Sequence, residues 1–250
     1  MDVKTAGRTL DLFEAFAEFR RPATLSELAE AIGIPMSSCF ALVRTIESWG
    51  YLYALRARGP LYPTGRLFQM AKTIAEHDPI SLRVAGPLAE VRDLCRETVV
   101  IGALTGDEVV YIDVFESRQM IRYSPRPGDR RAIYANSIGK AILGAMSADA
   151  RRALLSSLKT ERLTPWTLIT PEEIEADILK GVRCGWQTNL RESVIDLAAI
   201  AVPIRINGAF FGISIAGPDQ RMEPAKFEKL SKMLIEAANK IGDKPADLSP

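Results

Sequence analysis

"IGIPMSSCFALVRTIESWGYL", residues 32–52, places one short helix between two stop signals. Pro35 suits a first helical position, where its missing N–H costs nothing, and Trp49-Gly50 ends the run. At 100° per residue, Cys39, Leu42, Val43 and Ile46 cluster on one face, with Ser37, Phe40, Ala41, Arg44 and Ser48 opposite. One face is built for a core. The other is small and polar, as a helix entering a DNA major groove requires: small residues admit the backbone, serines reach phosphates or base edges, and an arginine can bond guanine O6 and N7.

Working outward, "TLSELAEAIG" (24–33) predicts a preceding helix, with Thr24 or Ser26 as N-cap and Gly33 past its end. Helix, turn, helix is the pattern. Residues 5–19 form an earlier helix with two apolar stripes, Leu10, Phe13 and Ala17 on one side and Leu12, Phe16 and Phe19 on another. The surplus stripe serves either a fuller core or a partner helix from another chain. Downstream, "YLYALRARGPLYPTG" (51–65) predicts two short strands, about 51–55 and 60–62, as a basic wing. "RLFQMAKTIAEH" (66–77) then predicts a linker helix ending just before Pro79.

Composition bounds the reading. At 250 residues, 47% hydrophobic and 25% charged, the chain is ordinary globular protein, and no stretch approaches the roughly 18–20 apolar residues of a membrane helix. The N-terminus lacks a secretory pattern, and Cys39, Cys95 and Cys184 are too few and too scattered for a disulfide framework. A cytoplasmic protein without a membrane partner is expected. The net charge of +1 exerts no global pull on nucleic acid, so DNA binding must rest on local charge. Between residues 31 and 66, Arg44, Arg56, Arg58 and Arg66 face only Glu47, a local excess of three positive charges. Arg56 and Arg58 are placed to enter a minor groove or hold phosphates, and Arg8 to touch the backbone beside them.

Beyond residue 79 the rhythm changes. A helix over 79–96 leads to "VVIGAL", "EVVYIDVF" and "QMIRYS", expected as three meander strands of an antiparallel sheet. "NSIGKAILGAM", "ADARRALLSSL" and "TPEEIEADILKGVRCG" read as helices, the last with Thr170 and Glu173 as a capping box. "LAAIAVPIRI" and "AFFGISIAG" flank Asn207-Gly208, a type I′ hairpin signal, and Phe227, Leu230, Leu234, Ala237, Ala238 and Ile241 mark a final amphipathic helix. The fold class is α+β: a winged helix-turn-helix (1–65), a linker helix (66–78) and a second α/β domain with an antiparallel sheet (79–250).

Catalytic motifs are wanting. "IGKA" lacks the earlier glycine and following hydroxyl of a phosphate loop, and "GISIAG" is not a nucleophile elbow. His77, the single histidine, sits at the expected end of the linker helix, so Ser-His, Cys-His and most metal sites lack their components. Glu192 and Asp196 are the one carboxylate pair of interest for acid-base work. No enzyme activity, metal or cofactor is expected. The alternative to a DNA-binding regulator is a small-molecule-processing enzyme or sensor whose N-terminal unit is a protein-interaction module.

"GRTLDLFEAF" (7–16), "TLSELAEAIGIPMSSCFALVRTIESWGYL" (24–52) and "YPTGRLFQM" (62–70) together resemble the winged helix-turn-helix of IclR-family transcriptional regulators. "RPGDRRAIYANSIGKAIL" (126–143) and "GVRCGWQTNLRESVIDLAAIAVPIRINGAFFGISIAGP" (181–218) resemble that family's effector domain, so the likeness spans nearly the whole chain. The resemblance implies a GAF-like sensor of a small organic effector, homodimers or homotetramers, and double-stranded DNA with a palindromic operator as partner. The expected DNA-binding set is Arg8, Met36, Ser37, Ser38, Phe40, Ala41, Arg44, Arg56 and Arg58. The resemblance places the effector site at Asn136, Ser137, Ile138, Asn189, Glu192, Asp196, Ala199 and Ser214, with backbone N–H groups at the helix start facing a carboxylate.

Three departures from the family pattern bear on the ligand. Asp196 and Ala199 stand where the family often has a glycine and a cysteine, and Ala216 where it often has a second serine. A ligand with an apolar, aromatic or acyl body and one polar end is expected rather than a two- or three-carbon keto acid. Arg122, Arg126, Arg130 and Arg131 are candidates to steer an anion towards it.

Overall fold

The computed structural model describes residues 3–243. The chain divides into two compact units between Asp78 and Pro79. Among the described residues no single helix is long and apolar enough to cross a membrane.

In the first unit α1 (Lys4–Phe19), α2 (Leu25–Ala31) and α3 (Met36–Ser48) precede a two-stranded wing, β1 (Leu52–Ala54) and β2 (Leu61–Pro63), and α4 (Gly65–Glu76) follows. Thr24, not Ser26, caps α2: it accepts from Glu27 N, and Glu27 returns to Thr24 N at 2.7 Å. That carboxylate also takes a hydrogen bond from Arg21, which with the Thr24 donors holds it down to about 2. Pro35 occupies the N-cap of α3 rather than its first turn. Leu12, Ala15 and Phe16 of α1 meet Leu28, Cys39, Val43 and Ile46 in one core, so the predicted inner face of α3 is the buried one. Of the other stripe of α1, Phe13 packs against that core, while Leu10 is 67% exposed and Ala17 is exposed.

The second unit is a three-layer sandwich. Its sheet runs β5 (Arg130–Ala132), β4 (Glu108–Phe115), β3 (Thr98–Thr105), β8 (Ala209–Pro218), β7 (Leu197–Ile206), β6 (Gln187–Leu190), every neighbour antiparallel. Asn207 and Gly208 both take positive φ, 50° and 79°, as the β7–β8 turn demands. Even-numbered residues of β7 from Ala198 to Ile206 face α5 (Pro79–Cys95) and α9 (Pro224–Ile241). The opposite face carries α6 (Ser137–Ala145), α7 (Ala148–Ser157) and α8 (Pro171–Cys184). All seven residues from Ser137 to Leu143 are buried, so α6 is a core helix rather than an amphipathic cover.

α6 approaches the sheet closely because Gly102 and Gly212 are directly paired on β3 and β8. A Cβ on Gly212 would lie 2.7 Å from Ile138 Cγ2, so the two glycines make the hollow that the Ile138 side chain occupies.

One predicted strand is absent. Residues 119–124 are irregular, and the third strand is instead β5, which begins at Arg130. Pro125 and Pro127 cannot donate to a ladder, and the segment takes other partners: Ser117 N and the Tyr123 carbonyl both bond Thr98 Oγ1, at 3.1 and 2.5 Å. β6 was not anticipated, being only four residues of mixed polarity.

Candidate DNA-reading face and effector site

α3 presents two edges, and they differ. Phe40, Arg44 and Glu47 on one edge join Arg58 and Gly59 of the wing and Thr24 of the α2 cap around a groove of about 510 Å³. Arg44 donates to Glu47 Oε2 at 3.0 Å, so it must exchange that acid for any base it reads. Arg56 and Arg58 are exposed on the wing turn, where Gly59 N bonds Arg56 O and Arg58 has φ 56°. Arg66 is exposed but tied down: its guanidinium donates to Trp49 O at 2.6 Å and lies over the Tyr51 ring. Met36 and Ser37 are exposed in the first turn.

On the other edge, Ser38, Ala41 and Thr45 meet Arg8, Leu10 and Phe13 of α1 and Leu67 and Met70 of α4. These line a largely apolar groove of about 710 Å³. The expected DNA-binding residues therefore fall into two groups, with Phe40, Arg44 and Arg58 together and Arg8, Ser38 and Ala41 apart from them.

In the second unit the register aligns candidate residues in rows. Asn189, Ala199, Ala216 and Thr98 are successive cross-strand partners over β6, β7, β8 and β3, and Ala201, Ser214 and Val100 form the next row. Both rows lie on the α6 side of the sheet, where Ala201 and Val100 join the core under α6. Asn136 caps α6, its Oδ1 accepting from Ile138 N at 2.9 Å and Gly139 N at 3.3 Å, and its Nδ2 donates to the Tyr111 hydroxyl at 2.9 Å. Two of the N–H groups expected to face a carboxylate are thus bonded to the cap.

Asn189 also belongs to the frame. Its Nδ2 donates to Ala135 O and Ser193 Oγ, both at 2.8 Å, and its Oδ1 accepts from Glu192 N. Glu192 accepts from Lys140 Nζ at 2.7 Å through both oxygens, and Asp177 accepts from the same ammonium at 2.7 Å. Lys140 is fully buried. Burial pushes the Glu192 carboxyl upward while the Lys140 charge pulls it down. Sequence reading missed Lys140 and Asp177, because 52 and 37 residues separate Lys140 from its two carboxylates.

Asn136, Ser137, Ile138, Asn189, Glu192, Ala199 and Ser214 are all buried. Asp196 is exposed, and its carbonyl holds Asp219 N, so it stands outside this set. Among the four arginines, Arg122 pairs with Glu116 and Arg130 with Glu108, while Arg131 lies over the Tyr111 ring at 5.4 Å.

A winged helix-turn-helix and a separate unit with this sheet match two family descriptions. The IclR helix-turn-helix domain covers residues 5–56, and the bacterial transcriptional regulator IclR C-terminal domain covers 72–243. The chain belongs to the IclR family. It is 28% identical to the transcriptional regulator BhcR of Paracoccus denitrificans, over 96% of this chain and 86% of that one. It is 27% identical to KdgR of Escherichia coli, over 96% and 91%. The Thermotoga maritima IclR structure superposes with a TM-score of 0.79 at 22% identity, covering 96% of this chain and 98% of that one. An IclR homolog from Microbacterium hydrocarbonoxydans, solved with 4-hydroxybenzoate, gives 0.74 at 22%, covering 95% and 97%. The α+β architecture expected from sequence is that of these structures, and this IclR-family chain is a transcriptional regulator with a DNA-binding helix-turn-helix and an effector-binding domain.

Proposed function

We propose that this regulator reads a palindromic operator as a homodimer and releases or reshapes it on binding a small organic acid with an aromatic or acyl body. The effector part rests on one observation: the rows beneath the α6 cap are small and apolar at Ala199, Ala201 and Ala216, with Asn136, Ser137 and Ser214 as nearby polar groups. Such a site suits a flat apolar body with one polar end. Asp196 lies at its rim in this reading, and Ile138, Asn189 and Glu192 hold its walls. The 4-hydroxybenzoate bound by the Microbacterium homolog has that form. A non-enzymatic role is supported by the relatives, which are named regulators, by His77 capping the end of α4, and by burial that pushes the Cys95 thiol up to about 11.

In the DNA reading Met36, Ser37, Phe40 and Arg44 face the major groove, Arg56 and Arg58 grip phosphate or the minor groove, and Arg8, Ser38 and Ala41 lie at the flank. Capture of genomic DNA by the purified protein, followed by binding to the best fragment across a salt series, tests it. Arg44→Ala costs about 1–3 kcal/mol if it reads a guanine, and Arg58→Ala lowers the salt slope by about 1 if it holds a phosphate. Unchanged affinity and slope in both variants would point to an interaction module instead.

The second chain of the homodimer sits, in this reading, in the apolar groove of α1, α3 and α4, to which Leu10 contributes its exposed side chain. Leu10→Glu is expected to shift the sedimenting species towards monomer at micromolar concentration. A dimer of unaltered strength would move the interface elsewhere.

A further inference from the structure

The segment from Glu116 to Asp129 is fastened to the sheet at both ends. Ser117 Oγ donates to Arg96 O at 2.7 Å, and the two ladder-like bonds Gly128 N to Tyr111 O and Tyr111 N to Asp129 O, 2.7 and 2.9 Å, close the other end. Between them Glu116 accepts from Arg122 at 2.8 Å and from Ser124, and the Ile121 carbonyl accepts from Arg221 at 2.8 Å. Its apolar residues are treated unequally. Met120 and Ile121 are 94% and 72% exposed, yet Tyr123 two residues on is turned inward.

The Tyr123 ring packs on Leu197, Ala199 and Ala216, the very surface proposed above for the effector. The two alanines matter, since larger side chains on adjacent strands would occupy the space the ring takes. The Tyr123 hydroxyl lies 3.3 Å from the Tyr111 hydroxyl, which in turn receives the Asn136 amide of the α6 cap. Burial holds the Tyr111 phenol above its usual range, so it remains a neutral hydroxyl able to donate and accept. The protein's own phenol therefore makes both kinds of contact, apolar body and polar end, that the site offers.

The geometry points to Tyr123 as a tethered occupant of the effector site, which an effector must displace to bind and which selects for planar phenolic or aromatic acids of similar size. This rests on the reading of the α6-facing rows as the effector site. Displacement is feasible because Tyr123 is only partly buried and its hydroxyl contacts, with Tyr111 and Arg131, are ones a ligand hydroxyl or carboxylate can take over; its backbone carbonyl accepts from Thr98. An aromatic acid with a hydroxyl replaces both the ring packing and the Tyr111 contact, and Arg131, over the Tyr111 ring, supplies a positive charge nearby. A two-carbon acid replaces neither. The segment bearing Tyr123 would then carry the signal, since only a ligand that distinguishes the seated from the unseated arrangement shifts their populations.

The occupant lowers apparent affinity by the fraction of time the site is open; with the site open about one tenth of the time the factor is about ten. The test is calorimetric titration of the full chain with 4-hydroxybenzoate and with pyruvate, in wild type, Tyr123→Ala, Tyr123→Phe, Ala199→Met and the Tyr123→Ala/Ala199→Met double variant, each checked for folding by thermal melting. Tyr123→Ala is expected to bind 4-hydroxybenzoate about tenfold more tightly, with Tyr123→Phe between it and wild type and pyruvate binding none of them. Ala199→Met, added to Tyr123→Ala, is expected to abolish that binding. Equal or weaker binding by Tyr123→Ala, with loss in Ala199→Met, overturns the occupant and leaves the site reading intact. Binding indifferent to Ala199→Met overturns the site reading itself. No binding by any variant overturns the selection for phenolic acids.

Discussion

Replacing Lys140 with methionine is expected to destabilise the C-terminal unit by about 3–4 kcal/mol at neutral pH. Methionine fills the volume of the lysine stem, but Glu192 loses the ammonium that it meets at 2.7 Å through both oxygens. Leaving one member of a buried pair costs about 3–5 kcal/mol. Glu192 can escape part of this by taking up a proton, which at pH 7 costs roughly 3.7 kcal/mol for a carboxyl of ordinary pKa near 4.3, and that route caps the loss. For a domain of this size the fall in Tm is about 6–16 °C.

The sign of the pH dependence follows. Burial lifts the Glu192 carboxyl in the folded state, so the native protein binds more protons than the unfolded chain just above the ordinary carboxylate range. Stability from this group therefore declines as pH rises through that window. Lys140 opposes the lift, so its loss raises the carboxyl further and widens the window upward. The Lys140→Met deficit is expected to shrink between pH 7.5 and pH 5 in thermal melts, and a further Glu192→Leu change to restore much of the stability. An equal deficit at both pH values would mean that lost packing, not an unpaired charge, is the cause.

Gly139→Ala is the second large effect. A Cβ at this position would stand 2.2 Å from the Ile133 carbonyl oxygen and under 3.0 Å from Ile133 C and Cα. All three are backbone atoms, which cannot turn aside as a side chain can. Overpacking a core costs about 1–3 kcal/mol, and this clash belongs at the upper end or beyond it. Since Asn136 caps this helix and bonds Gly139 N, moving α6 also moves the proposed effector site. The expected reading is a urea midpoint lowered accordingly, with weakened effector binding. Gly86→Ala on α5 is the control: nothing lies within 4 Å of its Cβ, and alanine's helix propensity adds about 0.5–1 kcal/mol. A Gly139→Ala protein as stable as wild type would show that α6 is not wedged against Ile133.

These residues also show where sequence reading stops. In "IGKA" the glycine and lysine are a failed phosphate motif when read locally. In the fold Gly139 is small because a carbonyl presses on it, and Lys140 meets Glu192 and Asp177, which arrive from other elements. The misread strand at 119–124 has the same origin. Its β-favouring residues are local, whereas its partner Thr98 is 25 residues away from Tyr123 and already committed to β3.

The sequence by itself determined the elements whose causes are local: the inner and outer faces of α3, the capping box of α8, the Asn207-Gly208 hairpin and the order of the units. Periodicity, caps and turn residues act over a few residues, so they can be read from the chain. Only the tertiary structure decided that Arg66 is tied to Trp49 and Tyr51, that Asp196 faces outward while Asn189 and Glu192 are bonded into the frame, and that Tyr123 lies on Ala199 and Ala216. Each depends on which side chains distant segments bring within a few ångströms, and that is set by packing of the whole sheet rather than by any stretch of it.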